Sequence, residues 1–151
     1  MNQKNIYRIV DANLNRAREG IRVVEDIARL YLNDDKLSRK LKLLRHRITK
    51  IAQESFDSDK LLLSRDSQGD VGAKGMGKSE GKRKNLKSII LANLRRSEEA
   101  LRVLEEFGKL IQEESAEEYK KLRFKIYSLE KQMGQRIKRI KRIKLPKKTV
   151  D

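Results

Sequence analysis

Asn13, Arg16 and Glu19 follow one another at spacings of three, and the same three residue types return 80 positions later as Asn93, Arg96 and Glu99. Guanidinium groups suit two-pronged contacts with phosphate, and carboxylates beside them can hold a divalent cation. An amide can orient a polar substrate through both donor and acceptor. On a helix turning about 100° per residue, Asn13 lies within about 40° of Ile9, Val24 and Ile27. It therefore points into the packing face, where an amide must find partners or cost stability. Gly20, above Asn13 and Arg16, is expected to open space there, as is Ala100 in the second copy. Two amides and two guanidinium groups could then face one cleft. The same residues also fit a different role. Arg16, Glu19, Arg22 and Asp26 make a surface ladder of ion pairs three and four residues apart, with Asn13 as a buried register-setting amide. Both readings stand at this level.

A second candidate is the stretch Arg65, Asp66, Ser67, Gln68, Gly69, Asp70, Val71, Gly72, poor helix or strand sequence that carries two carboxylates and an arginine among glycines. It fits a mobile surface loop, or a lid over the cleft that brings Asp66 and Asp70 to a metal. Residues 72–79, GAKGMGKS, satisfy the phosphate-loop pattern G-x-x-x-x-G-K-[ST]. That pattern works only between a buried strand and a helix of a parallel sheet, and no strands accompany it here. Lys78 could still touch phosphate from a lid. His46, the only histidine, lies between Arg45 and Arg47, a setting more usual for a helix-surface residue than for a base.

These residues need helices to position them. Apolar residues recur at threes and fours from Asn5 to Leu32, predicting a first helix. Asn33, Asp34 and Asp35 supply a break and an N-cap, and Leu37, Leu41, Leu44, Ile48 and Ile51 predict a second helix to about Phe56. A third is expected over about Asn85 to Gln112, and a fourth from a capping box of Ser115 and Glu118, continuing as far as Pro146. Laying Arg8–Leu30 on Ser88–Leu110 gives ten identities in 23 positions, among them Arg22/Arg102 and Glu25/Glu105. The partner helices match at a shift of 78, as Leu44/Leu122, Arg45/Arg123 and Ile48/Ile126. The expected fold is all-α, a four-helix bundle of two repeated hairpins, about 5–56 and 85–135, joined by a Gly-rich loop over about 57–84. Residues 1–135 form one domain, and 136–151 a basic tail.

Composition narrows the chemistry. The 151 residues are 40% charged and 5% aromatic, with no Trp, so the single core that such a length supports is aliphatic. Without cysteine and with one histidine, a disulfide framework, a thiol nucleophile and Cys-ligated or multi-His metal sites are excluded. The net charge is +16, of which residues 136–151 carry +7 and residues 1–135 the other +9. No signal peptide or membrane span is visible, and a cytoplasmic protein is expected. The tail, with Ile137, Ile140 and Ile143 between basic pairs, suits an anionic membrane or nucleic acid, or simply a solvated extension of the last helix. The latter is favoured. Self-association through the long helices is expected.

Four strings, DANLNRAREGIRVVEDIARL from Asp11, LKLLRHRI from Leu41, SRDSQGDVG from Ser64 and LANLRRSEEALRVLEEFGKL from Leu91, carry a family likeness. Over about residues 6–130 the chain resembles the small helical domain that precedes thiamine-phosphate synthase in fused bacterial proteins and also occurs alone. That family is described as monofunctional hydroxymethylpyrimidine phosphate kinases. The resemblance implies an enzyme of thiamine biosynthesis that converts 4-amino-5-hydroxymethyl-2-methylpyrimidine phosphate to its diphosphate with ATP and Mg2+, here in a stand-alone version, with thiamine-phosphate synthase as a functional partner. Laid on the shared positions, phosphoryl-transfer chemistry gives Arg16, Arg96 and Arg65 the clamping of phosphates. Asp66 and Asp70, or Glu19 and Glu99, would hold magnesium. Asn13 and Asn93 would orient the substrate, with Arg45 a further binding residue. The competing expectations are a non-catalytic helical module that binds a phosphorylated metabolite or the synthase, and a nucleic-acid-binding bundle.

Overall fold

A computed structural model of the chain describes residues 1–75 and 81–139. Among them are five α-helices and no strand: α1 Gln3–Asp26, α2 Asp35–Ser55, α3 Ser58–Ser64, α4 Leu86–Ile111 and α5 Glu113–Arg139. The helix starts follow local chemistry. The side chain of Asn2 accepts from the Asn5 N–H, Asp34 from Leu37 at 3.0 Å, and Asn85 from Ser88 at 2.9 Å. Ser88 Oγ in turn accepts from the Asn85 N–H at 3.2 Å, closing a capping box.

The turns between paired helices differ between the two copies. The first helix leaves α1 through a π turn, Ile27–Tyr31, and Asn33 takes a left-handed φ of 50° before α2, a conformation asparagine tolerates better than most residues. In the second copy α4 is α-helical to Ile111, and Gln112 alone separates it from α5. A π turn holds one residue more than an α turn, so it absorbs part of the two-residue difference between the repeats.

Four long helices share one aliphatic core. α1 lies along α4, α2 packs on α1, α5 packs on α4, and α2 and α5 touch more lightly. Leu14, Ile21, Ile48, Leu94, Leu101 and Ile126 are each at most 2% exposed at its centre. Where α1 meets α4, a Cβ on Gly20 would run into Ser97 Oγ and come within 2.6 Å of the Asn93 carbonyl oxygen. Ser97 Oγ donates across this contact to the Ala17 carbonyl at 2.9 Å. Gly20 therefore does not open a cleft; it lets two backbones approach.

Three further expectations differ from the structure. The connection between the hairpins begins with α3, which packs on α1 with Leu61 and Ser64 buried. Its N-cap, Asp57, accepts from the backbone N–H groups of Asp59 and Lys60. Ser115 does not start the last helix. It is buried in the first turn of α5, its hydroxyl donating to the Gln112 carbonyl at 2.7 Å, and Glu118 pairs with Arg47 of α2 at 2.7 Å. The boundary drawn at 135 falls inside α5, where Arg136 reaches Asp34 at 3.4 Å. Residues 140–151 of the tail, and Lys78 with the second half of the GAKGMGKS string, lie outside the described residues.

Candidate functional site

The site is built from one carboxylate on α1. Asp11 is 6% exposed, because its place in the helix repeat turns it toward the packed interior. Arg65, just past α3, satisfies it with two parallel hydrogen bonds, Nε to Oδ2 at 2.8 Å and Nη2 to Oδ1 at 2.9 Å. This is the bidentate geometry in which arginine and carboxylate bind most strongly, and it raises the Arg65 pKa above its ordinary value. One turn earlier on α1, Arg8 donates from Nη2 to the Asp66 carbonyl at 2.9 Å. The start of the glycine-containing segment is thus fastened to α1 at two successive residues.

Beyond those anchors the segment folds on itself. Asp66 Oδ1 accepts from the Gly69 N–H at 2.8 Å, and Asp70 Oδ1 from the Gly72 N–H at 2.9 Å. These are side-chain-to-backbone turns of the kind aspartate favours. A Cβ on Gly69 would meet the Asp66 carboxylate and displace it from this turn. The result is a cleft of about 410 Å³ between the first half of α1 and residues 69–71, lined chiefly by Asn5, Arg8, Asn13, Arg16, Asp70 and Val71.

Asn13 is 4% exposed. Its Nδ2 donates back to the Ile9 carbonyl at 2.9 Å, and its Oδ1 accepts from Arg16 Nη1 at 3.5 Å. A buried amide thereby satisfies itself on its own helix while steadying a guanidinium at the cleft. Asn93 repeats the first half of this, donating to the Ile89 carbonyl at 2.8 Å. The second half is missing. Arg96, Glu19 and Glu99 are exposed, and neither they nor Asn93 line the cleft. The structure brings together Asn13, Arg16 and Asp70, with Arg65 and Asp66 fastening the loop, and leaves the α4 residues elsewhere.

Arg45 has a different position. It grips Glu25, 3% exposed, with Nε at 2.7 Å and Nη2 at 3.3 Å. Burial pushes the Glu25 carboxyl up, but the hydrogen bonding and charge of Arg45, with Arg22 and Lys42 beyond, outweigh this and hold it below its usual value. The second copy repeats the arrangement, with Arg123 on Glu105 at 2.8 Å and Arg102 on Glu105 at 2.9 Å. Four of the repeated polar positions, Glu25, Arg45, Glu105 and Arg123, thus pin each hairpin's two helices together.

The cleft can hold an anion. Two guanidinium groups and an amide converge on it, and Asp70 stands beside them to accept from a polar group on the same ligand. His46 is exposed on α2, away from these residues. Of the carboxylates expected to hold magnesium, Asp66 and Asp70 each give one oxygen to a backbone N–H and keep the other. Among the described residues no three acidic or histidine side chains come together as a metal cluster would require. Arg8 and Asp11 are the residues that sequence reasoning missed. Asp11 stands where the second copy has Leu91, and a carboxylate replacing a leucine at a packed position signals a cationic partner.

The model of the ThiD2 family matches residues 8–132. The chain belongs to the ThiD2 family. Curated relatives agree along the same span. The chain is 42% identical over 128 residues to the thiamine-phosphate synthase of Nostoc punctiforme, covering 85% of this chain and 35% of that protein. It is 43% identical over 125 residues to that of Synechocystis, with 83% and 35% covered. Against that of Rhodopirellula baltica it is 41% identical over 125 residues, with 83% and 33% covered. The chain therefore spans about a third of the length of these relatives. No solved structure matches it.

Membership of ThiD2 ties the chain to thiamine biosynthesis and corrects the expected activity. The relatives are named for thiamine-phosphate synthesis, not for phosphorylation of a pyrimidine phosphate, so the kinase assignment is not retained. The relatives' names give no support to a non-catalytic module or a nucleic-acid-binding bundle either. No helix among the described residues is long and apolar enough to cross a membrane.

Proposed function

We propose that the chain is an enzyme component of thiamine biosynthesis, acting in the formation of thiamine phosphate, and that its α1 cleft holds a phosphorylated small-molecule substrate or product of that step. The observation that carries this is the convergence of Arg8, Asn13 and Arg16 on one cleft closed by a loop that Asp11 and Arg65 fasten. A synthase whose product is a phosphate ester must hold a phosphate group while other bonds are made. Arg16, supported by Asn13, and Arg8 supply positive charge for it. Asp70 would accept from an amino group of the ligand, such as that of an aminopyrimidine. The chemistry proposed for the cleft is binding and orientation, which convert a bimolecular encounter into a positioned one.

Calorimetric titration of the protein with thiamine phosphate and with 4-amino-5-hydroxymethyl-2-methylpyrimidine phosphate, each against its unphosphorylated counterpart, tests this. One phosphorylated compound is expected to bind at least about tenfold more tightly than its alcohol, because a charged hydrogen bond is worth about 1.5–3 kcal/mol. Equal affinity within each pair contradicts it.

A further inference from the structure

A second concave surface lies between α2 and α5 and shares no lining residue with the cleft. Because α2 and α5 touch only lightly, a groove of about 490 Å³ runs between them, floored by Leu44, Leu122 and Leu129. It continues past Arg47 and Lys125 into a neighbouring hollow of about 450 Å³ that reaches Glu117. From Gln132 to Glu117 is 15 residues of α5, about 22 Å at 1.5 Å per residue. Leu43, 68% exposed, and Phe124, 54% exposed, stand at its edges. Apolar side chains so exposed beside a concave apolar floor mark a contact surface.

Its rim is cationic: Lys40, Arg47, Lys120, Lys121 and Lys125 against Glu117 and Glu118. Glu118 is paired with Arg47 at 2.7 Å and Lys121 at 3.5 Å, and the remaining lining charges, Lys40, Lys120 and Lys125 against Glu117, still leave the rim net positive. We propose that this groove docks an amphipathic helix of a partner protein, one with an apolar stripe and Asp or Glu along its flanks. Charge sets the choice of occupant. A second copy would bring the same cationic rim against itself, and residues 140–151 add five more basic side chains and one acid. A nucleic acid would place phosphates over leucines. Both groove walls are helices whose backbone groups are internally bonded, so an extended strand finds no edge to pair with. An apolar stripe in the groove with acids on its flanks satisfies floor and rim together.

The test uses fluorescein-labelled 16-residue peptides with Leu at i, i+3, i+4 and i+7 and Glu on both flanks, in three registers, against scrambled peptides of the same composition. Anisotropy is read with the full chain and with Leu43→Asp and Lys125→Glu, both exposed and both checked by thermal melting. Saturable binding of a patterned peptide is expected, at least tenfold tighter than its scramble and weakened at least tenfold by each substitution. Binding that ignores the pattern or the substitutions overturns the proposal, as does none at all. It is equally overturned if an RNA oligonucleotide binds more tightly and displaces the peptide, or if the chain dimerises and either substitution abolishes the dimer.

Discussion

Arg65 holds Asp11 through two hydrogen bonds of 2.8 and 2.9 Å, joining residues 54 apart in sequence and fixing where the segment after α3 crosses α1. Removing the guanidinium leaves a carboxylate, 6% exposed, with its main partner gone. Arg65→Ala is expected to destabilise the fold by about 1–3 kcal/mol, the cost of a buried acceptor left unsatisfied. It should also speed proteolysis between residues 65 and 75. Urea unfolding and limited digestion measure the two effects. Unchanged digestion would show that the loop is held by something else.

The paired networks of the two hairpins make a quantitative demand. Arg45→Ala and Arg123→Ala each take the interhelical partner from a buried glutamate, Glu25 or Glu105, and should cost up to about 3 kcal/mol. Arg102 remains beside Glu105 at 2.9 Å, closer than Arg22 is to Glu25 at 3.8 Å. The loss at Arg45 should therefore be the larger, as urea denaturation of the two variants will show.

Gly20→Ala tests the α1–α4 contact. The added methyl meets a side chain that can turn, Ser97, and a backbone carbonyl that cannot, Asn93. Overpacking of this kind costs about 1–3 kcal/mol. Combining it with Ser97→Ala should restore little, since the carbonyl of Asn93 stays in place. Full restoration of the melting temperature would show the backbone to be more yielding than this.

Much of this architecture was legible in the sequence. The four long helices follow from apolar periodicity, and the N-cap at Asp34 from its capping chemistry. α3 was hidden because seven residues show too little periodicity to separate them from a loop. The cleft was half visible: repetition singled out Asn13 and Arg16, but also Arg96, Glu19 and Glu99, which lie on other surfaces. Arg22, Glu25 and Arg45 recur in the second copy because each hairpin needs the same ion pairs. Asp11 and Arg8, which make the cleft different from its counterpart, are among the positions where the repeat breaks, standing against Leu91 and Ser88. Comparing the two halves for differences would have found them.

Glu98, 8% exposed on α4, faces Glu130 of α5, and its Oε1 has no hydrogen-bond partner among the described residues. Burial first, and then the adjoining Glu130, push its carboxyl up to about 8, with Arg95 opposing and Glu99 adding to the rise. Above pH 4.5 the unfolded chain loses this proton while the folded one keeps it. The contribution to stability is thus whole below pH 4.5 and lost as pH rises toward 8. Glu98→Gln, which never ionises, should flatten that decline and raise the melting temperature at pH 8. A parallel pH dependence in variant and parent would contradict it.

In the proposed function, one copy of the repeat carries the anion site and the other does not. Arg16 lines the cleft and is steadied by Asn13, whereas its counterpart Arg96 lies outside it. Titration of Arg16→Ala and Arg96→Ala with the tighter-binding phosphorylated ligand puts this directly. At least about a tenfold loss is expected for Arg16→Ala and near-parent affinity for Arg96→Ala. Equal losses, or a loss for Arg96→Ala alone, would contradict it.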